Sequence, residues 1–223
     1  MGQGVPVKRY LILLMAALAL SACGSDTAEY EGFKVGTTAI ARLLKGKDAK
    51  AAPPVMTRAA FDQGGNPLIR AKIEKVGDIA YLGKINEGRG VITWASVDGT
   101  ALSLRDGVVI ATRGIGTDLM SSAGPTAIEL AHASSVKRQH FYLFGGETEQ
   151  LRAFDCQIAD AGAERIVVLE LAYDTRHRIE TCTGDSGLTF ENHYWFDNRA
   201  TIRQSRQWIS PDVGILELQD LNR

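Results

Sequence analysis

Several functional classes are excluded by what this sequence lacks. It has no block of like charge: 25 Lys and Arg are interspersed among 26 Asp and Glu, for a formal net charge of −1. Nucleic-acid binding draws its affinity from a concentrated basic face that releases counterions, so nucleic acid is not expected as a partner. No apolar run reaches the roughly 20 residues that a membrane-spanning helix needs. The longest, Leu11 to Leu20, is about half that. Cysteine is scarce, with three in 223 residues, and no two form Cys-x-x-Cys, which removes the common redox and zinc frameworks. Gly145-Gly146 and Gly114-x-Gly116 sit at strand ends without the following helix that a phosphate-binding loop requires. No internal repeat recurs at a fixed period.

What is present begins at the amino terminus. Lys8 and Arg9 precede the apolar run, and the small residues Ser21 and Ala22 follow it, in the order of a secretory signal. Leu20-Ser21-Ala22-Cys23 resembles the bacterial lipobox, in which the thiol receives diacylglycerol and the chain is cut just before it. The resemblance implies a signal peptide over 1–22, a lipid-anchored Cys23 and a small, polar tether over 23–31, ahead of a domain over 32–223. One acyl chain gives only marginal membrane binding, whereas two or three hold firmly. Gly24 and Ser25 follow the cysteine in place of the Asp that retains enterobacterial lipoproteins at the inner membrane. The outer membrane, on its periplasmic face, is therefore the expected address. In that oxidising compartment the remaining even pair, Cys156 and Cys182, is expected to be a structural disulfide.

Hydrophobic residues at 45% and charged residues at 23% describe an ordinary globular chain. Ile40, Leu43 and Leu44 have helical spacing, so one short amphipathic helix is expected within Phe33 to Lys47. Ala51 to Gly65 reads as a loop with room for an irregular strand near Val55 to Ala60. Strands then dominate. Leu68–Ile73, Ile79–Ile85, Val91–Ala95, Ala101–Leu104 and Val108–Thr112 alternate, and Asp98-Gly99 and Asp106-Gly107 between them are strong hairpin signals. Ile115 to Gly124 breaks the pattern, with room for a helical turn near Asp118-Leu119-Met120. Further strands are expected at Thr126–His132, Gln139–Phe144, Leu151–Ala159, Glu164–Tyr173, Arg178–Cys182, Leu188–Phe196 and Thr201–Ile209. The fold class is all-β and mostly antiparallel: a meander forming a sandwich or an open barrel, with one short N-terminal helix.

Apparent catalytic and metal motifs do not hold up. Gly184-Asp185-Ser186-Gly187 has the look of a serine-nucleophile loop, but that chemistry needs a histidine base oriented by a buried Asp. None of His132, His140, His177 and His193 lies in such a context, and the same four residues suit a tight turn. His177 and His193, with Asp174 and Glu191 nearby, lack local ligand spacing. No catalytic residue, metal or cofactor is expected. Among the aromatics, Trp94 and Trp208 are expected in the core. Alternation places Tyr194 and Trp195 on opposite faces, leaving each open to core packing or to stacking on a sugar.

Two separated blocks carry a family resemblance. The first is Trp94-Ala95-Ser96-Val97-Asp98-Gly99, then Leu102-x-Leu104-x-Asp106-Gly107-Val108-Val109 and Thr112-x-Gly114-x-x-x-Asp118-Leu119. The second is Glu191-Asn192-x-Tyr194-Trp195-Phe196-Asp197, then Ser205-Arg206-Gln207-Trp208-Ile209-Ser210-Pro211. Together they resemble the YjbF/GfcB lipoproteins of exopolysaccharide and group 4 capsule clusters. The resemblance implies a periplasm-facing lipoprotein with a β domain, a non-enzymatic role in assembling or exporting polysaccharide, and an outer-membrane β-barrel among its partners. It supplies no catalytic residues. Tyr194, Trp195, Arg206 and Trp208 are the expected contacts for glycan or partner, and a polysaccharide-modifying enzyme or a glycan-binding module is the alternative. Replacing Cys23 with alanine should abolish incorporation of labelled fatty acid into the protein; normal acyl labelling of Cys23→Ala would disprove the anchor.

Overall fold

The computed structural model describes residues 56–144 and 148–222. Cys23, its tether and the helix expected within Phe33 to Lys47 lie outside the described residues. Among the described residues the chain forms α1 (Arg58–Gly64), β1 (Leu68–Ile73), β2 (Ile79–Gly88), β3 (Val91–Ala95), β4 (Ala101–Arg105), β5 (Val108–Arg113), β6 (Leu119–Ala123), α2 (Ala127–His132), β7 (Ser135–Phe144), β8 (Thr148–Val168), β9 (Leu171–Gly184), β10 (Thr189–Phe196), β11 (Ile202–Ser210) and β12 (Gly214–Asp220). All twelve strands join one antiparallel sheet in the order β5-β4-β3-β2-β1-β12-β11-β10-β9-β8-β7-β6. Two meanders, β1 to β5 and β6 to β12, are thus joined where the first strand pairs with the last, from Ile69↔Asp220 to Ile73↔Leu216.

The sheet curls until its two edges, β5 and β6, approach each other, giving a nearly closed barrel rather than a sandwich. Buried Thr112 stitches them: its hydroxyl donates to Asp118 Oδ1 at 3.0 Å and accepts from the Leu119 N–H at 2.9 Å. Gln207 spans the interior from β11 to the β5 edge, where its Oε1 accepts from the Val109 N–H at 2.9 Å and its Nε2 donates to the Gly107 carbonyl at 2.8 Å. Edge groups that would otherwise be free to pair with another chain are satisfied from within.

The expected hairpins form, with Asp106 (φ +50°) and Gly107 (φ +85°) both left-handed at the β4–β5 turn, as that turn type demands. Gly184-Asp185-Ser186-Gly187 is a turn, closed by Gly184 N–H to Leu188 O at 2.9 Å. Gly184 is required there for space, since a Cβ would meet Phe154 Cε1 at 2.9 Å.

Four local expectations are corrected. Residues 58–64 are helical, not loop or strand, because Thr57 caps the Ala60 N–H and Gly65 takes the left-handed conformation that ends a helix. Thr126–His132 is helix α2 rather than a strand; Thr126 and Glu129 form a reciprocal capping box. Leu119–Ala123 is strand β6, not a helical turn. Glu164–Tyr173 is broken by a turn at Leu169 (φ +44°) and Glu170 (φ +68°), which makes β8 and β9 one long hairpin. Strand β12 lies beyond the last strand expected.

The interior holds two apolar clusters. One gathers Leu82, Trp94, Leu102, Leu119, Tyr142, Phe154, Phe190, Trp208 and Leu216; the other centres on Leu130, Tyr194, Phe196 and Ile202. A third lies against α1, where Leu68, Ile166, Val168, Trp195 and Leu221 pack with Phe61 and Tyr81. Arg58 fastens it, donating from Nη1 to the Leu221 carbonyl at 2.9 Å and from Nε to the Leu169 carbonyl at 3.1 Å.

Cys156 and Cys182 sit directly opposite on β8 and β9 and are joined by a disulfide. It closes a loop with a sequence separation of 26, a constraint on the unfolded chain worth about 3 kcal/mol. Cys156→Ser/Cys182→Ser should lower the unfolding free energy in urea by about that amount, and an unchanged midpoint would contradict the assignment.

Candidate functional site

The barrel interior carries an ion pair. Arg138 on β7 meets Glu180 on β9 through Nε–Oε1 at 2.7 Å and Nη2–Oε2 at 2.9 Å, both side chains buried. Tyr194 Oη accepts from Arg138 Nη2 at 2.8 Å, and Asn192 Nδ2 donates to Glu180 Oε2 at 2.8 Å. A buried charge pair persists only when its remaining bonding capacity is met, and here Tyr194 and Asn192, both on β10, meet it. Burial raises the Tyr194 phenol well above its ordinary pKa. Cys156, Cys182 and Glu180 bring three potential ligand atoms within 4.8 Å, but the sulfurs are bonded to each other and Glu180 is engaged by Arg138. This is structure, not a metal centre.

His140, next along the inner face of β7, lies between Tyr142, 3.1 Å from its Nδ1, and the indole of Trp208, stacked at 5.8 Å. Burial first, then the charge of Arg138, lowers its pKa from 6.5 to about 3.

The outer face over β9 to β12 is more open. There the β10–β11 ladder runs only from His193↔Arg206 to Phe196↔Ile202. Toward the start of β10 the strands part, and the Trp208 N–H donates to the Asn192 side chain at 2.7 Å instead of to a backbone carbonyl. Simple alternation would put Trp208 outside with Arg206. Its indole instead turns inward and stacks on Phe190 at 4.5 Å. Above this seam lies a shallow groove of about 460 Å³. Thr181, Thr189, Glu191, His193, Arg206 and Ile215 line it, together with the small part of Phe190 that is exposed.

The polar groups of His193 and Arg206 are held in place. Arg206 binds Glu74 through Nε–Oε1 at 2.5 Å and Nη2–Oε2 at 2.8 Å; that hydrogen bonding lowers the Glu74 pKa and raises that of Arg206. His193 Nδ1 is 3.0 Å from His177 Nε2, and the other His177 nitrogen is 3.2 Å from Glu164. The carboxylate keeps a proton on His177 Nδ1, so Nε2 accepts from the His193 N–H. Burial, the leading cause, lowers both imidazole pKa values, and Arg206 lowers them further. Trp195 lies beneath, its face stacked on His177 at 4.3 Å and its Nε1 donating to Glu164 at 2.8 Å.

Three of the four residues named as possible contacts are buried. Tyr194 is 0% exposed, Trp195 6% and Trp208 8%, because Tyr194 and Trp208 pack inside the barrel and Trp195 is covered by His177 and the cluster beside α1. Trp94 and Trp208 do belong to the core. Arg206 alone of the four lines the groove. His177 and His193 are brought together by the β9–β10 register, which the sequence spacing did not reveal. Thr181, Thr189, Phe190 and Ile215 were not singled out at all; the only signal was the proximity of some of them to the second family block.

The family described as group 4 capsule polysaccharide lipoprotein GfcB, YjbF, matches residues 34–221. The chain belongs to this family. The hypothetical lipoprotein YmcC from Escherichia coli K12 has a similar crystal structure, with a TM-score of 0.72, 14% identity, and coverage of 90% of this chain and 98% of that one. At that identity the likeness is one of fold. No curated protein matches the chain. Among the described residues, no helix of this GfcB/YjbF lipoprotein is long and apolar enough to cross a membrane.

Because His140, His177 and His193 all bind protons less readily when folded, stability should fall as pH drops below about 6.5. The unfolded chain takes up protons there that the folded one refuses. For His140 alone, with its folded pKa of about 3, the loss at pH 5 is about 2 kcal/mol. Urea unfolding at pH 7 and pH 5 should show a smaller difference in His140→Phe than in the parent; an equal difference would refute the shift.

Proposed function

We propose that this lipoprotein is a non-enzymatic factor in the assembly or export of a surface polysaccharide. It works at the periplasmic face of the outer membrane, where lipid on Cys23 holds it beside an outer-membrane β-barrel and other secretion proteins. The observation that carries this is the match to a capsule polysaccharide lipoprotein family over 34–221, supported by the lipobox at Leu20 to Cys23. The physical organisation is consistent with it. The barrel interior is occupied by stacked rings and by the Arg138–Glu180 pair, so the surface available to a partner or a polymer is the outer wall.

Deleting the gene should lower polysaccharide at the cell surface while cytoplasmic precursor synthesis continues. Loss of precursor synthesis, or unchanged surface polymer, would overturn the proposal.

A further inference from the structure

The two outer-face imidazoles are arranged as a pair of ligands. Antiparallel register sets His177 opposite Trp195 and His193 opposite Ile179, so the histidines sit diagonally on neighbouring strands. His177 Nε2 and His193 Nδ1 face each other at 3.0 Å. Two nitrogens held by one tetrahedral zinc, with bonds of about 2.0–2.1 Å, lie about 3.3 Å apart. A small ring movement therefore converts the contact into a chelate.

The groups behind the pair have the arrangement of an outer coordination shell. A metal-bound histidine commonly donates its second ring nitrogen to a carboxylate, which fixes the tautomer and orients the ring. Glu164 does this for His177, 3.2 Å from its Nδ1, and leaves the Nε2 lone pair turned toward His193. Glu164 is itself held by the Trp195 Nε1 donor at 2.8 Å, and the Trp195 ring stacks on His177 at 4.3 Å. The surrounding charge suits a cation. Glu164 stands beside His177, Glu191 and Glu74 act on His193, and the opposing charge of Arg206 is engaged by Glu74.

From this geometry we infer that His177 Nε2 and His193 Nδ1 bind a divalent transition-metal ion of the kind imidazole prefers: zinc, copper or nickel. Calcium and magnesium take oxygen ligands instead. On binding, the Nδ1 proton of His193 passes through solvent to its Nε2, so both ligands remain neutral imidazoles and no net proton is released. Among the described residues no third His, Cys, Asp or Glu side chain joins the pair as a ligand. Water fills the remaining positions, and the groove that His193 lines is the path of entry.

The test is calorimetric titration of Zn2+ into the full-length lipoprotein in detergent, free of any histidine tag and stripped of metal with a chelator. One zinc per chain should bind. His177→Ala and His193→Ala should each weaken binding about tenfold or more, and so should Glu164→Ala, which removes only the supporting carboxylate. His132→Ala, exposed on α2, should bind as the parent does. Electron paramagnetic resonance of the parent protein with Cu2+ should show two nitrogen ligands, a readout that does not depend on how the variants fold. No stoichiometric zinc binding, equal binding by all variants, or a copper spectrum with fewer than two nitrogens would overturn the inference and leave the contact a hydrogen bond only. The polysaccharide role proposed above does not depend on this outcome.

Discussion

The pairing of β1 with β12 is the constraint on which this fold depends. Each meander alone is a run of hairpins with two open edges, and hairpins are marginal without further strands to bury a face. Five register pairs from Ile69↔Asp220 to Ile73↔Leu216 fuse the two runs into one wall. Only then can the wall curl enough for Gln207 to cross the interior and for Thr112 to join β5 to the start of β6. The ladder joins residues about 145 positions apart in the chain, so it forms at a high loop-closure cost. Ala71, Leu216 and Leu218 repay that by burial on the inner face.

What fills the barrel shapes what its outside can do. Phe154, Phe190, Trp208 and His140 make a stack of rings, and Arg138, Glu180, Asn192 and Tyr194 complete a bonded polar layer beside it. The irregularity this packing imposes appears on the wall, because the Trp208 indole passes inward where β10 and β11 separate. The groove above is therefore a consequence of core packing, and of the paired side chains around it Arg206, His193 and His177 stand on strands while Glu74 stands in the β1–β2 turn.

Legibility in the sequence followed the range of the interactions concerned. β1, β3, β4 and β5 were readable almost to the residue, since alternation and Asp-Gly turns act within a few positions. The two helices were misread although Thr57, Gly65 and the Thr126/Glu129 box marked them; six or seven residues give too little period to separate helix from strand. The turn at Leu169-Glu170 carried no local sign, because two non-glycine residues are held left-handed there by Arg58 and its bonds from α1. Leu216-x-Leu218 after Gly214 was a signal for β12 that went unused. For the site, Arg206 was found through its neighbours in a family block, whereas Tyr194 and Trp195 could be sorted to opposite faces but not to inside and outside.

The amino-acid order by itself offered a lipobox-like run ending at Cys23, a strand-rich body with two short-range hairpins, and an even cysteine pair. All three depend on residues adjacent in the chain, on simple alternation, or on the chemistry of a compartment. Tertiary structure alone decided which strand closed the sheet, which ring faces the core, and which imidazoles touch. Those outcomes are set by register between distant strands and by competition for interior volume, neither of which any local stretch of sequence contains.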